Sequence, residues 1–285
     1  MRYGISTHLY HDRKLCGEHL GEIARFGFRE VELFAARGHF DYDQPDAVRA
    51  LAGWLAESGL NLHSVHAPIV DRIDGESWGR VLSNAAADDA SRLEAVAECV
   101  KALDLARTVP FRYLVVHLGV PAFLASGDAD NSSAAARRSL EEIVAAAAPL
   151  GVQVAVEVIP NGLSTPDRLV QLLDDDLDLP APGAGICLDT GHAALMGDLA
   201  DAIDTVSGGL VTIHAHDNHG RRDDHLVPFD GRIDWPTALM TLEKVGYEGV
   251  LVFELAKAPA PAESLRKAAA ARERFESFLQ PVPQP

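Results

Sequence analysis

Gly185-Ile186-Cys187-Leu188-Asp189-Thr190-Gly191-His192 carries, in eight residues, an apolar strand, the carboxylate that ends it and the imidazole that follows. Side chains of a strand point alternately to its two faces, so Gly185, Cys187 and Asp189 share one face. The neighbouring runs repeat the pattern. Gln153–Val158 places Gln153, Ala155 and Glu157 on one face; Leu210–His216 places Thr212, His214 and His216. Further out, Asn61–His66 gives Leu62, Ser64 and His66, Tyr113–His117 gives Tyr113, Val115 and His117, and Gly249–Glu254 gives Val250, Val252 and Glu254. Two earlier runs, Tyr3–His8 and Glu30–Phe34, complete eight predicted strands. Between them lie helical patterns at Pro45–Ser58, Asp88–Arg107, Ala134–Ala148, Pro166–Leu173, Trp235–Val245 and Ala262–Phe278. Thr165 before Pro166 reads as a helix start, and Gly59, Gly151 and Gly246 as left-handed helix ends. Eight alternating strand and helix units predict an α/β fold, a single (β/α)8 TIM barrel. A barrel of this kind takes about 250 residues, so the 285 residues are expected to form one domain, 1–285.

Six successive strands thus finish on His66, His117, Glu157, Asp189, His216 and Glu254, at the end where such barrels place their chemistry. One inward histidine is ordinary core. Several carboxylates and imidazoles at equivalent positions are not, because unpaired buried carboxylates are costly and a divalent cation neutralises them. Glu157, Asp189, His216 and Glu254 form the expected ligand set. His192 and the segment from His214 to His225, with His219, Asp223 and His225, supply more donors. Mixed nitrogen and oxygen donors suit Zn, Mn, Co or Fe.

A formal charge of −17 weighs against non-specific nucleic-acid binding, which rests on lysine and arginine contacts to phosphate. Residues Ile143–Ile159 are the most apolar stretch, interrupted by Pro149, Gly151 and Gln153, so no bilayer span is expected. Residues Met1–Leu9 lack a signal-peptide core, which gives a cytoplasmic protein as the expectation. Cys16, Cys99 and Cys187 are far apart and predict reduced thiols. The run Asp174, Asp175, Asp176 and Asp178 reads as a solvated loop, and Pro281–Pro285 as a frayed tail. His8 and Glu32 are expected to end the first two strands. Trp54 reads as core and Arg37 as surface or a substrate contact. Trp78 and Phe123 fall on mouth loops, with packing the first expectation and cover over a substrate the second.

The run Gly185–His192 resembles the strand-six motif of the xylose isomerase-like TIM-barrel superfamily. His214-Ala215-His216-Asp217-Asn218, with Asp223, His225 and Gly231-Arg232-Ile233-Asp234-Trp235, resembles its strand-seven signature. That superfamily includes sugar isomerases, ketose 3-epimerases and endonuclease IV. By resemblance to the epimerases, one metal is held by Glu157, Asp189, His216 and Glu254, and the two glutamates serve as acid and base. His192 then binds substrate, with Arg221 or Arg222 as the substrate-binding arginine. By resemblance to endonuclease IV, up to three zinc ions are held when His66, His117, His192, Asp223 and His225 join the set. Two departures weigh against an abasic-site nuclease. Ala67-Pro68-Ile69 after His66 lacks a DNA-probing aromatic, and the loops after the second and third strands are poor in basic residues.

The expected function is therefore a metal-dependent isomerase or epimerase of a sugar, sugar phosphate or polyol ketone. The alternative is a multi-zinc phosphodiesterase, and a third reading is a non-catalytic sugar-binding protein. A small carbohydrate is the expected partner, and a homodimer is compatible with the resemblance.

Overall fold

In a computed structural model, which describes residues 1–125, 128–174, 179–258 and 260–279, eight parallel strands close on themselves. They are β1 (Arg2–Ser6), β2 (Glu30–Phe34), β3 (Asn61–His66), β4 (Tyr113–Val116), β5 (Gln153–Glu157), β6 (Ala184–Asp189), β7 (Leu210–Ala215) and β8 (Val250–Phe253). Each pairs with the next in sequence, and β1 pairs with both β2 and β8, which closes the (β/α)8 barrel. Around it run α1 (Gly17–Arg25), α2 (Pro45–Ser58), α3 (Asp89–Leu103), α4 (Ser133–Ala147), α5 (Pro166–Asp174), α6 (Thr190–Met196), α7 (Leu199–Val206), α8 (Trp235–Lys244) and α9 (Pro261–Leu279). A short hairpin, Ile73–Asp74 with Ser77–Trp78, rises after β3. Among the described residues no helix is long and apolar enough to cross a membrane.

The pleat separates two cores. Ile5, Leu33, Val65, Leu114, Val156, Leu188, Ile213 and Phe253 face outward and pack beneath the helices, whereas Tyr113, Val115, Ala155, Cys187 and Val211 fill the interior. Gly59, Gly151 and Gly246 end their helices at φ 67°, 69° and 73°, the left-handed geometry that glycine adopts without strain. The segment expected as one helix, Asp88–Arg107, is α3 followed by a 3-10 turn, Asp104–Arg107. Asp175, Asp176, Asp178 and the tail Pro281–Pro285 lie outside the described residues.

Two irregularities change which side chains enter the barrel. Val31 pairs with Leu62 but Glu32 pairs with Ser64, so His63 is an extra residue in β3. Leu62, expected to face inward with Ser64 and His66, packs outward instead, and His63 takes the interior position. Its Nε2 lies 3.0 Å from the Thr212 hydroxyl. A second shift, between Ile186 and Cys187, leaves Val211 unpaired and turns it inward. Alternation within a single strand carries no sign of a bulge, because the bulge is a property of the pair.

Burial lowers His63 and His39 to about 4 each. Both are neutral in the fold and take up a proton near 6.5 when unfolded. Their stabilisation is therefore complete above that value and is lost as pH falls from about 6.5 towards 4. At pH 5 each is expected to cost about 2 kcal/mol. His63→Gln keeps a partner for Thr212 and cannot titrate. In urea denaturation at pH 7.5 and pH 5, the variant should lose less stability than the parent by about that amount; equal losses would refute the assignment.

Candidate metal centre

The expected ligands converge at the C-terminal mouth, although several stand one residue past the strands. His66 and Asp189 are the last residues of β3 and β6, and Glu157 is the last of β5; His117, His216 and Glu254 directly follow β4, β7 and β8. Asp189 also caps α6, its Oδ1 accepting from the His192 amide at 2.7 Å. That cap carries the β6 carboxylate straight into the turn that presents His192. The loop after β7 is tied down by Asp217, which accepts from the indole of Trp235 and the amides of Phe229 and Ile233. Asp217 is thus an anchor, not a donor to the site. His225 sits at φ 45°, a strained conformation for a non-glycine residue. Its carbonyl accepts from Ala256 N and its Nδ1 donates to Glu254 O, which hold it there.

Among the described residues donor atoms lie in four groupings, each within 4.8 Å: His66, His117 and Glu157; Glu157, Asp189, His214 and Glu254; His192, His216, Asp223 and His225; and Glu157, Cys187 and His214. His66 and His117 Nε2 stand 3.3 and 3.1 Å from Glu157 Oε2. His192 and His225 Nε2 stand 3.1 and 2.9 Å from Asp223 Oδ2, and His216 Nε2 stands 2.9 Å from Asp189. His214, not His216, completes the central grouping in this geometry, while His216 joins the outer one and touches Asp189 from there. In three histidines of these groupings Nδ1 meets a backbone carbonyl: Ala67 for His66, Val158 for His192 and Glu254 for His225. Donation there leaves Nε2 as a lone-pair donor aimed at the site, the arrangement of metal-bound imidazoles. Four buried polar atoms at the mouth have no hydrogen-bond partner: Glu157 Oε1, His214 Nδ1, His216 Nδ1 and Asp223 Oδ1. Buried polar atoms are rarely left so, and the donor set fits a divalent cation of intermediate softness. The Cys187 thiol of the last grouping is pushed up by burial.

The electrostatics point the same way. Burial would raise Glu157, but His117 and His214 hold it well below the usual carboxylate range. Glu254 is likewise raised by burial and held far lower by His214 and His225, and Asp223 by His225 and His192. The imidazoles respond in kind. Against burial, Glu157 lifts His66 to about 9 and Asp223 lifts His225 to about 9. His192 and His214 are also raised, whereas burial lowers His117. Protons on these rings balance the carboxylates in the way that a cation would.

Some expected residues are elsewhere. Arg221 and Arg222 are exposed and do not line the mouth cavity, and Arg222 pairs with Asp224. His219 is exposed. Arg37 is bound to Glu98 and Asp43 and stacks on Tyr42, a structural role. Trp54 is half-buried against the core. His8 lies in a 3-10 turn past β1, where it lines the cavity; Glu32 sits inside β2, below the mouth. Glu32 accepts from Ser64 at 2.7 Å and meets His214 Nε2 at 2.9 Å. The other nitrogen of His214 lies 3.4 Å from both Glu157 Oε1 and Glu254 Oε2. The alternation Thr212, His214, His216 placed His214 inward, but its contact with Glu32 crosses the barrel and has no sequence signal.

Gly191 provides a test of His216. A Cβ at this position would lie 2.0 Å from His216 Cε1. Gly191→Ala must therefore displace the imidazole. The expected result is an affinity for zinc lower by about 10–100-fold, the usual effect of disturbing a ligand's support, read by competition with a chromophoric chelator, with an unchanged far-ultraviolet spectrum. Unaltered affinity would show that His216 does not hold the ion.

Comparison with known proteins agrees with this architecture. An uncharacterized protein of Methanocaldococcus jannaschii is 26% identical over 99% of this chain and 90% of its own. A solved structure described as a D-tagatose 3-epimerase-like protein superposes with a TM-score of 0.79 at 25% identity, covering 98% of this chain and 97% of that one. A structure of IOLI protein with a bound zinc atom superposes with a TM-score of 0.78 at 17% identity, covering 99% of this chain and 100% of that one. The family described as xylose isomerase-like TIM barrel matches residues 20–277, and the chain belongs to that family.

Proposed function

We propose that this chain is a metal-dependent isomerase or epimerase of a small oxygenated carbonyl compound, a sugar, sugar phosphate or polyol ketone. One observation carries the reading: Glu157 and Glu254 line the same cavity from β5 and from the end of β8, and both are held ionised by imidazoles. One carboxylate can take the proton from one side of a bound carbon, and the other, once protonated, can deliver a proton to the opposite side. The likeness to a D-tagatose 3-epimerase-like structure supports the same class. A bound divalent ion would polarise the carbonyl and acidify the neighbouring C–H. Asp189, Glu157 and Glu254, with His214 or His216, would hold it. His214 Nδ1 lies between the two glutamates, 3.4 Å from each, and His192 lines the cavity as a substrate contact. Zinc is one candidate, as in the IOLI structure, with manganese, cobalt and iron compatible with the donors.

A second reading, hydrolysis of a phosphodiester, is favoured by the two further groupings, His66–His117–Glu157 and His192–His216–Asp223–His225, which give donors for more than one ion.

Two measurements separate them. With manganese- or cobalt-loaded protein, ketoses in deuterated water should exchange the proton next to the carbonyl. Glu254→Gln, which keeps an oxygen donor, should slow that exchange by about 10²–10⁴-fold, the usual contribution of a general acid or base. Three tightly bound zinc ions per chain by elemental analysis, together with no exchange across the panel, would overturn the isomerase reading in favour of hydrolysis.

A further inference from the structure

The mouth cavity, about 280 Å³, has two unlike halves. Its floor is imidazole and carboxylate. Its walls include Phe34, Val70, Trp78, Leu82, Phe123 and Leu124. Among the described lining residues there is no Ser, Thr, Asn, Gln, Lys or Arg. Four of the seven large apolar side chains exposed among the described residues, Trp78, Val81, Phe123 and Leu124, stand at this one rim. Concentrated apolar exposure of this kind marks a binding surface.

The wall is built, not loose. The Trp78 hairpin is pinned to the loop after β2 by Ile73 N donating to Arg37 O at 2.7 Å, beside Gly38 at φ 90°. A Cβ on Gly38 would fall 1.9 Å from Ile73 O, so the two segments meet backbone to backbone. In the loop after β4, Leu124 N donates to Pro121 O, and Ala122 N to Pro160 O. A free polyol pressed against this surface would lose water from hydroxyls that find no partner, at about 1–3 kcal/mol for each. A site made for hydroxyls supplies donors and acceptors around the substrate; here they are confined to the floor.

We propose that the substrate is amphiphilic: an oxygen-bearing head meets the floor, and an apolar or aromatic substituent seats against Trp78, Phe123 and Leu124. This narrows the carbonyl compound proposed above to one with an apolar substituent, and it rests on that reading for the head alone.

Acetohydroxamate and benzohydroxamate carry the same metal-chelating head and differ in the apolar part. Titrated calorimetrically into zinc-loaded protein, benzohydroxamate should bind at least about tenfold tighter. The preference should shrink towards parity in Trp78→Ser and in the double variant Phe123→Asp, Leu124→Asp, whose side chains are exposed enough to change without loss of the fold. Equal affinities in the parent, or a preference that survives both variants, would overturn the proposal. If neither hydroxamate binds, the metal reading falls instead. The wall is then tested on metal-free protein with benzyl alcohol against glycerol, followed by the same calorimetric titration. Selective binding of benzyl alcohol that the Phe123/Leu124 variant abolishes supports the seat, and no selectivity refutes it.

Discussion

Glu157, Asp189, Asp223 and Glu254 crowd the mouth of the barrel, with Glu32 buried directly beneath. Charges this close in a poorly solvated interior repel one another strongly, and each has lost its water. Everything around them serves to offset that cost. His66, His117, His192, His214, His216 and His225 interleave with the carboxylates. The backbone carbonyls of Ala67, Val158 and Glu254 fix which ring nitrogen faces inward. The balance is still incomplete, since Glu157 Oε1 and Asp223 Oδ1 find no hydrogen-bond donor. A cation held by these donors would remove the repulsion and supply the missing partners together, which a buried ion-pair network alone does not.

The barrel makes the crowding possible. Strands that run parallel deliver their last residues to one rim, so groups from β3 to β8 meet although up to 188 residues separate His66 from Glu254. The interior below is filled in two ways. Tyr113, Val115, Ala155 and Cys187 pack apolar contacts on one side, while Glu32, Ser64, His214, His63 and Thr212 form polar contacts on the other. The second set needs the bulge at His63, which brings adjacent residues of β3 into the interior. The foundation of the site is thus an irregularity of the sheet.

The barrel and the identity of the converging residues were legible in the sequence because both rest on local regularities: alternation along the strands, glycine after three of the helices, and a polar residue where the apolar runs from β3 to β8 stop. Helix and strand bounds moved by a residue or two, as at His117 and Glu254, without moving the side chains out of the mouth. What was not legible depends on partners distant in the chain. The reversal at Leu62 and His63 arises from pairing with β2. The depth of Glu32 and its link to His214 arise across the barrel. Arg221 and Arg222 were placed by resemblance of a loop motif, and loops tolerate changes of length and direction that strands do not. Trp78 packs against His8, His11 and Phe34 yet stays 42% exposed, and Phe123, expected to pack, stands 66% exposed on the rim.

Glu157 is where the two chemical readings meet. Its Oε2 faces His66 and His117, and its Oε1 faces His192 and His214. A carboxylate that bridges two ions has both oxygens committed and is a poor proton acceptor, whereas one with a single ion at Oε1 keeps Oε2 available beside two imidazoles. Glu254 is not subject to this choice, since it belongs to the central grouping alone. Occupancy of the His66–His117 grouping would therefore separate the two proposed chemistries. An ion held there would engage Glu157 Oε2 and suit hydrolysis at a phosphoryl group, whereas without it Glu157 and Glu254, which line the same cavity, would be free to move a proton at a carbon next to a carbonyl.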